Sequence, residues 1–86
     1  MEIKQNVKNF IVANFMMGLP AHSLGDEDSL LERSIIDSTG VLELVNFLEE
    51  EFGIAVKDDE LLPENLDSLT ALDKFITRKL MVVKST

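Results

Sequence analysis

Asp37-Ser38-Thr39-Gly40-Val41-Leu42-Glu43-Leu44-Val45-Asn46-Phe47-Leu48-Glu49-Glu50-Glu51-Phe52-Gly53 is the stretch whose reading decides the fold. Val41, Leu44, Val45, Leu48 and Phe52 recur at i, i+3, i+4, i+7 and i+11, which sets them on one apolar stripe of a helix. Asp37 and Ser38 are residue types that open helices, and Gly53 is one that closes them. The spacing predicts a helix over 37–52 that buries this stripe. The opposite face carries Ser38, Thr39, Leu42, Glu43, Asn46, Glu49 and Glu50, also at helical spacing. Packing does not explain that second face. It joins a serine at a helix start to an apolar residue and several carboxylates.

Upstream, Ile3, Val7, Phe10, Ile11 and Phe15 predict a first helix over 2–17, ended by Gly18-Leu19-Pro20. Residues 18–37 form a connection long enough to suggest a function. Leu24, Leu30, Leu31, Ile35 and Ile36 are expected to pin it to the core, with Asp28 or Ser29 capping a short turn before Leu30. Downstream, Ile54-Ala55-Val56 is too brief for a strand. Asp58 or Asp59 is expected to cap a short helix through Glu60, Leu61 and Leu62, ended by Pro63. A last helix over about 68–81 places Leu69, Leu72, Phe75, Ile76 and Leu80 on its apolar face, with Asp67 as its cap. The chain therefore reads as one all-α domain over 1–86, a small four-helix bundle of three longer helices and one short one. Its core spans about 2–81, followed by a tail over 82–86.

Composition narrows the functions. The 86 residues suffice for one small domain, and 45% hydrophobic with 28% charged residues reads as globular. There is no cysteine, which excludes disulfides, thiolate nucleophiles and zinc–cysteine sites. The one histidine, His22, lies in an apparent loop, where a polar side chain is ordinarily solvated. No Ser-His-Asp set, His-Glu-x-x-His pair or phosphate loop is present, and Asp58-Asp59-Glu60 lacks the glycine and alternating ligands of a calcium loop. No catalytic residue and no metal site are expected, and the chain is not read as an enzyme. Acidic residues outnumber basic ones 16 to 8, for a net charge of −8. Such a surface repels nucleic acid and anionic membranes and either favours basic protein partners or serves only to keep a small domain soluble, and charge alone does not separate the two. No apolar run approaches the roughly 20 residues that span a bilayer. Met1-Glu2-Ile3-Lys4-Gln5-Asn6 lacks the blocks of a secretory signal. A cytoplasmic monomer is the expectation.

A serine at a helix start is ordinarily a cap. It is also well placed to carry a phosphate, because free backbone N–H groups and the helix dipole point there. The whole string Ile35-Ile36-Asp37-Ser38-Thr39-Gly40-Val41-Leu42-Glu43-Leu44-Val45, running into Leu48-Glu49-Glu50-Glu51-Phe52-Gly53-Ile54, resembles the acyl and peptidyl carrier proteins. In that family a D-S-[LIVMT] tripeptide opens the second helix, which continues through E-L and then L-E-x-x-F-G-I. The resemblance covers nearly the whole chain and implies an acyl-carrier-protein-like bundle.

By position, Ser38 resembles the family's attachment point for 4′-phosphopantetheine, a group taken from coenzyme A whose thiol holds acyl or aminoacyl cargo as a thioester. The resemblance implies that Asp37 serves the modifying phosphopantetheinyl transferase rather than the folded carrier. It puts Thr39, Leu42, Glu43, Asn46, Glu49 and Glu50 where family members meet partner enzymes, among them an acyl- or aminoacyl-activating ligase. Thr39 stands where leucine is commoner, Gly40 where fatty-acid carriers often have an acidic residue, and Asn46 where an apolar contact is usual. These departures point toward a dedicated pathway, and the string from Asp37 to Val45 resembles stand-alone carriers paired with amino-acid-activating enzymes, with both fatty acid biosynthesis and nonribosomal peptide assembly left open as settings. The cargo is expected to fold back between the second and third helices near Leu48, Ile54, Leu61 and Leu62. A second tripeptide, Asp67-Ser68-Leu69, fits the motif but lacks the acidic face, and Asp67 or Ser68 is read there as a cap. An unmodified acidic helical adaptor for a basic partner is the alternative that helices and charge alone leave open.

Overall fold

A computed structural model describes residues 3–16 and 18–85. Helix α1 spans Ile3–Phe15, α2 Ser38–Phe52, α3 Pro63–Leu66 and α4 Leu69–Ser85, with 3-10 turns at Ala21–Ser23 and Asp58–Glu60. Helix α4 packs on α1, on α3 and on α2, and α1 also meets α2. Val7 and Ile11 of α1, Leu44 and Leu48 of α2, and Leu69, Leu72, Phe75 and Ile76 of α4 are almost wholly withdrawn from solvent. Burying each such side chain is worth about 1.5–3 kcal/mol, so this shared cluster, rather than helix propensity, holds the short helices together. The expected all-α bundle of three longer helices and one short one is the fold observed.

Helix α2 follows its sequence closely at both ends. Gly53 ends it in the left-handed conformation, φ +65°, and its N–H donates to the Glu49 carbonyl at 3.0 Å. Within the helix, Gly40 is buried where Val41 and Val45 are only partly so. A Cβ on Gly40 would stand 3.1 Å from both the Phe15 ring and Ile36 Cγ2. The glycine lets α1 and the end of the long loop approach the first turn of α2.

The long loop has its own polar frame. Asp28 accepts from Gly25 N–H at 2.7 Å and from Arg33 at 2.8 Å. Ser29 Oγ accepts from Glu32 N–H at 3.1 Å, capping the turn that follows, as expected for one of these two residues. Leu24, Leu30 and Ile36 pin the loop to the core. Leu31 does not: it is 42% exposed.

Three expectations downstream are corrected. The short helix is not at Glu60–Leu62 ended by Pro63; it begins at Pro63, because proline has no N–H to lose at a first helical position. Asp58–Glu60 closes only a 3-10 turn, in which Lys57 N–H donates to the Glu60 carboxylate at 2.9 Å. The cap of α4 is Ser68, whose Oγ accepts from Ala71 N–H at 3.1 Å, and not Asp67. The last helix also runs on past Met81 to Ser85, through the segment read as a tail.

Candidate functional site

The start of α2 is set by Asp37. Its backbone is extended, and its Oδ1 accepts from Gly40 N–H at 2.7 Å while its carbonyl accepts from Val41 N–H at 2.9 Å. This is helix capping by an aspartate, as its residue type at a helix start suggested, so Asp37 has a place in the folded chain and is not reserved for a modifying enzyme. The consequence falls on its neighbour. Ser38 is exposed, and among the described residues its hydroxyl has no hydrogen-bond partner. Capping, the ordinary employment of such a serine, is taken by the residue before it. The hydroxyl is free for attack on an electrophile.

Along α2 below Ser38, Thr39, Leu42, Glu43, Asn46 and Glu50 are all exposed, as the helical spacing predicts. Leu42 is 62% exposed, a large apolar side chain standing among polar neighbours. Glu49 differs from the others. It is partly buried, and its carboxylate accepts from Val56 N–H at 2.9 Å, folding the segment after Gly53 back along the helix. Sequence spacing could not show this, because the donor is a backbone group beyond the helix end.

Near the start of α2, on the side of its apolar stripe, lies an apolar cavity of about 90 Å³. Val41, one helical turn after Ser38, lines it together with Leu30, Leu31 and Ile36 of the loop and Leu61, Leu62, Pro63 and Leu66 around α3. Leu61 and Leu62 were expected in such a place. Leu48 and Ile54 were expected too, but both are packed into the core. The cavity is thus nearer the start of α2 than the sequence suggested, because the loop before Ser38 supplies one of its walls.

The residues fit a phosphodiester-linked arm. An exposed, uncommitted hydroxyl stands at a helix start, where no acceptor meets the Ser38 or Thr39 N–H among the described residues. A niche for an apolar end lies one turn away. The second motif is built differently. Ser68 is partly buried and committed to Ala71 N–H, and Asp67 accepts from Leu31 N–H and Ser29 Oγ. Among the described residues no three His, Asp or Glu side chains converge as a metal site, and no helix is long and apolar enough to cross a membrane.

No protein-family profile matches the sequence. Among solved structures, the chain is similar to a holo acyl carrier protein from Nitrosomonas europaea, determined in solution. The two share 29% identity over 94% of this chain and 99% of that one, with a TM-score of 0.77. The bundle is therefore acyl-carrier-protein-like in fold and extent, which agrees with the resemblance carried by Asp37-Ser38-Thr39 and the helix after it.

Proposed function

We propose that this acyl-carrier-protein-like bundle is a discrete carrier, holding acyl or aminoacyl groups as thioesters on a 4′-phosphopantetheine arm attached to Ser38. One observation carries the reading: the exposed Ser38 hydroxyl is left unengaged because Asp37 caps the helix in its place. Likeness to a holo carrier supports the same class.

Attachment is a group transfer performed by a separate phosphopantetheinyl transferase. A bond forms between Ser38 Oγ and phosphorus, a pyrophosphate P–O bond of coenzyme A breaks, the phosphorylated adenosine half leaves, and the hydroxyl proton passes to a base of the transferase. Asp37 keeps one carboxylate oxygen outside its bond to Gly40, which is available to the transferase and its metal ion. The arm brings the sulfur that a chain without cysteine lacks. An adenylating or acyl-transferring enzyme then loads the thiol, and downstream enzymes of a dedicated pathway act on the tethered cargo. The carrier's part is effective concentration, since a tethered group meets each active site as a neighbour rather than a solute. Thr39, Leu42, Glu43, Asn46 and Glu50 form the docking face, and an apolar cargo end shelters in the cavity beside Val41. The carrier works in the cytoplasm as a monomer.

The test is incubation with coenzyme A and a transferase of broad specificity, followed by intact mass. The wild-type chain and Ser68→Ala gain the mass of one phosphopantetheine, and Ser38→Ala gains none. A wild-type chain that stays bare, while a control carrier is modified, would leave the acidic adaptor as the better reading.

A further inference from the structure

Leu30 and Leu31 belong to one wall of the apolar cavity, and Leu61, Leu62 and Leu66 to the other. Asp67 is fastened to both. It follows Leu66 directly, and its carbonyl accepts from Leu30 N–H at 2.8 Å. Its carboxylate accepts from Leu31 N–H at 2.9 Å and from the Ser29 hydroxyl. Ser29 in turn holds Glu32 N–H at 3.1 Å, so the one carboxylate also steadies the cap of the loop's turn. Hydrogen bonds to an ionised acceptor are roughly twice as strong as neutral ones. Three ties thus run from a single residue across the cavity's edge, between segments far apart in the chain.

The cavity they bound is small. At about 90 Å³ it falls short of the roughly 150 Å³ that admits benzene in an apolar protein interior. A short aliphatic segment fits with the walls where they are. A longer one needs the walls to part, and Asp67 resists that.

We propose that Asp67 is a latch: by fixing the separation of the two walls it sets how long a cargo the cavity shields. It is a positioning residue for specificity, and the proposal rests on the carrier reading above. With the latch closed, a short acyl end is drawn in and its thioester shielded, while a long chain leaves its thioester open to attack. With the latch loosened, longer chains enter.

The experiment loads a series of straight acyl groups, butanoyl to decanoyl, onto the arm of the wild-type chain, Asp67→Asn and Ser29→Ala, and follows thioester cleavage by hydroxylamine. Ser29→Ala removes the hydroxyl tie to Asp67 together with the cap on Glu32 N–H, but leaves both backbone ties to Asp67, so the two variants disturb the fold in different ways and share only the loosened latch. In the wild type, butanoyl is cleaved more slowly than free butanoyl-pantetheine and decanoyl is not. In both variants octanoyl becomes protected by about tenfold, the size of one charge-assisted hydrogen bond, while butanoyl is unchanged. A loss of packing alone would speed cleavage at every length alike, and that result, or one length profile shared by all three proteins, overturns the latch. A chain that accepts no arm overturns the carrier reading and the latch with it. A chain that accepts the arm but shows no change in length profile overturns the latch alone.

Discussion

Asp37 and Ser38 divide the start of α2 between them, one holding the helix and the other standing free. The two therefore respond to substitution in opposite ways. Asp37→Ala is expected to lower stability by about 1 kcal/mol, the usual worth of an aspartate cap, as read from the urea midpoint. Ser38→Ala is expected to leave that midpoint unchanged while abolishing modification. A Ser38→Ala variant as unstable as Asp37→Ala would return the serine to the role of a cap. Gly40 gives a third expectation. Helix propensity alone favours alanine there by about 1 kcal/mol. The added methyl would meet Phe15 and Ile36 at 3.1 Å, and overpacking of that kind costs about 1–3 kcal/mol. Gly40→Ala is expected to lower the midpoint, and a rise would mean that the contact between α1 and α2 yields easily. At this scale the sequence revealed whatever rests on near neighbours, such as Asp37 and Ser38 opening a helix and Gly53 closing it. It could not reveal the work of Asp67, whose donors Ser29 and Leu31 lie on the far side of the chain, or that of Glu49, whose donor is a backbone N–H.

The helices were legible where a long apolar period fixed them, and misplaced where a single residue type had two meanings. Pro63 reads equally as a stop and as a first helical position, and only the packing of Leu66 into the core decides for the second. The turn before it is held by charge. The Glu60 carboxylate is kept below the ordinary carboxylate range, first by Lys57 N–H and then by Lys79, whose Nζ lies 2.9 Å away on α4. Asp28 in the long loop is lowered likewise, chiefly by Gly25 N–H and also by Arg33. Both groups hold their protons more weakly folded than unfolded. What they contribute is present above the ordinary carboxylate range and lost as pH falls through their lowered folded values. Acid is therefore expected to loosen the turn at 58–60 and the loop around Asp28. Denaturant midpoints across that range should fall less steeply for Glu60→Gln and Asp28→Asn than for wild type. Parallel curves would show that these contacts do not govern the acid limb.

At the scale of the whole molecule the dominant quantity is the charge of −8, with exposed Glu43 and Glu50 on the face that begins at Ser38. Association with a basic partner enzyme should weaken as salt rises, and Glu43→Lys should slow the on-rate more than it hastens release. Leu42→Ala, at a position 62% exposed, should leave stability unchanged and cost more than about 1 kcal/mol of partner affinity, as a central apolar anchor does. Equal binding by both variants would move the docking face elsewhere. The cavity is the feature least visible in the sequence, because its walls come from three segments separated in the chain and joined only by folding. Peptide-level mapping of the wild-type chain after transfer from coenzyme A tests the central claim most directly, since both Asp-Ser pairs are then offered together. One phosphodiester is expected, on the hydroxyl of Ser38. Finding it on Ser68, or on neither serine when a control carrier is fully modified, would contradict it.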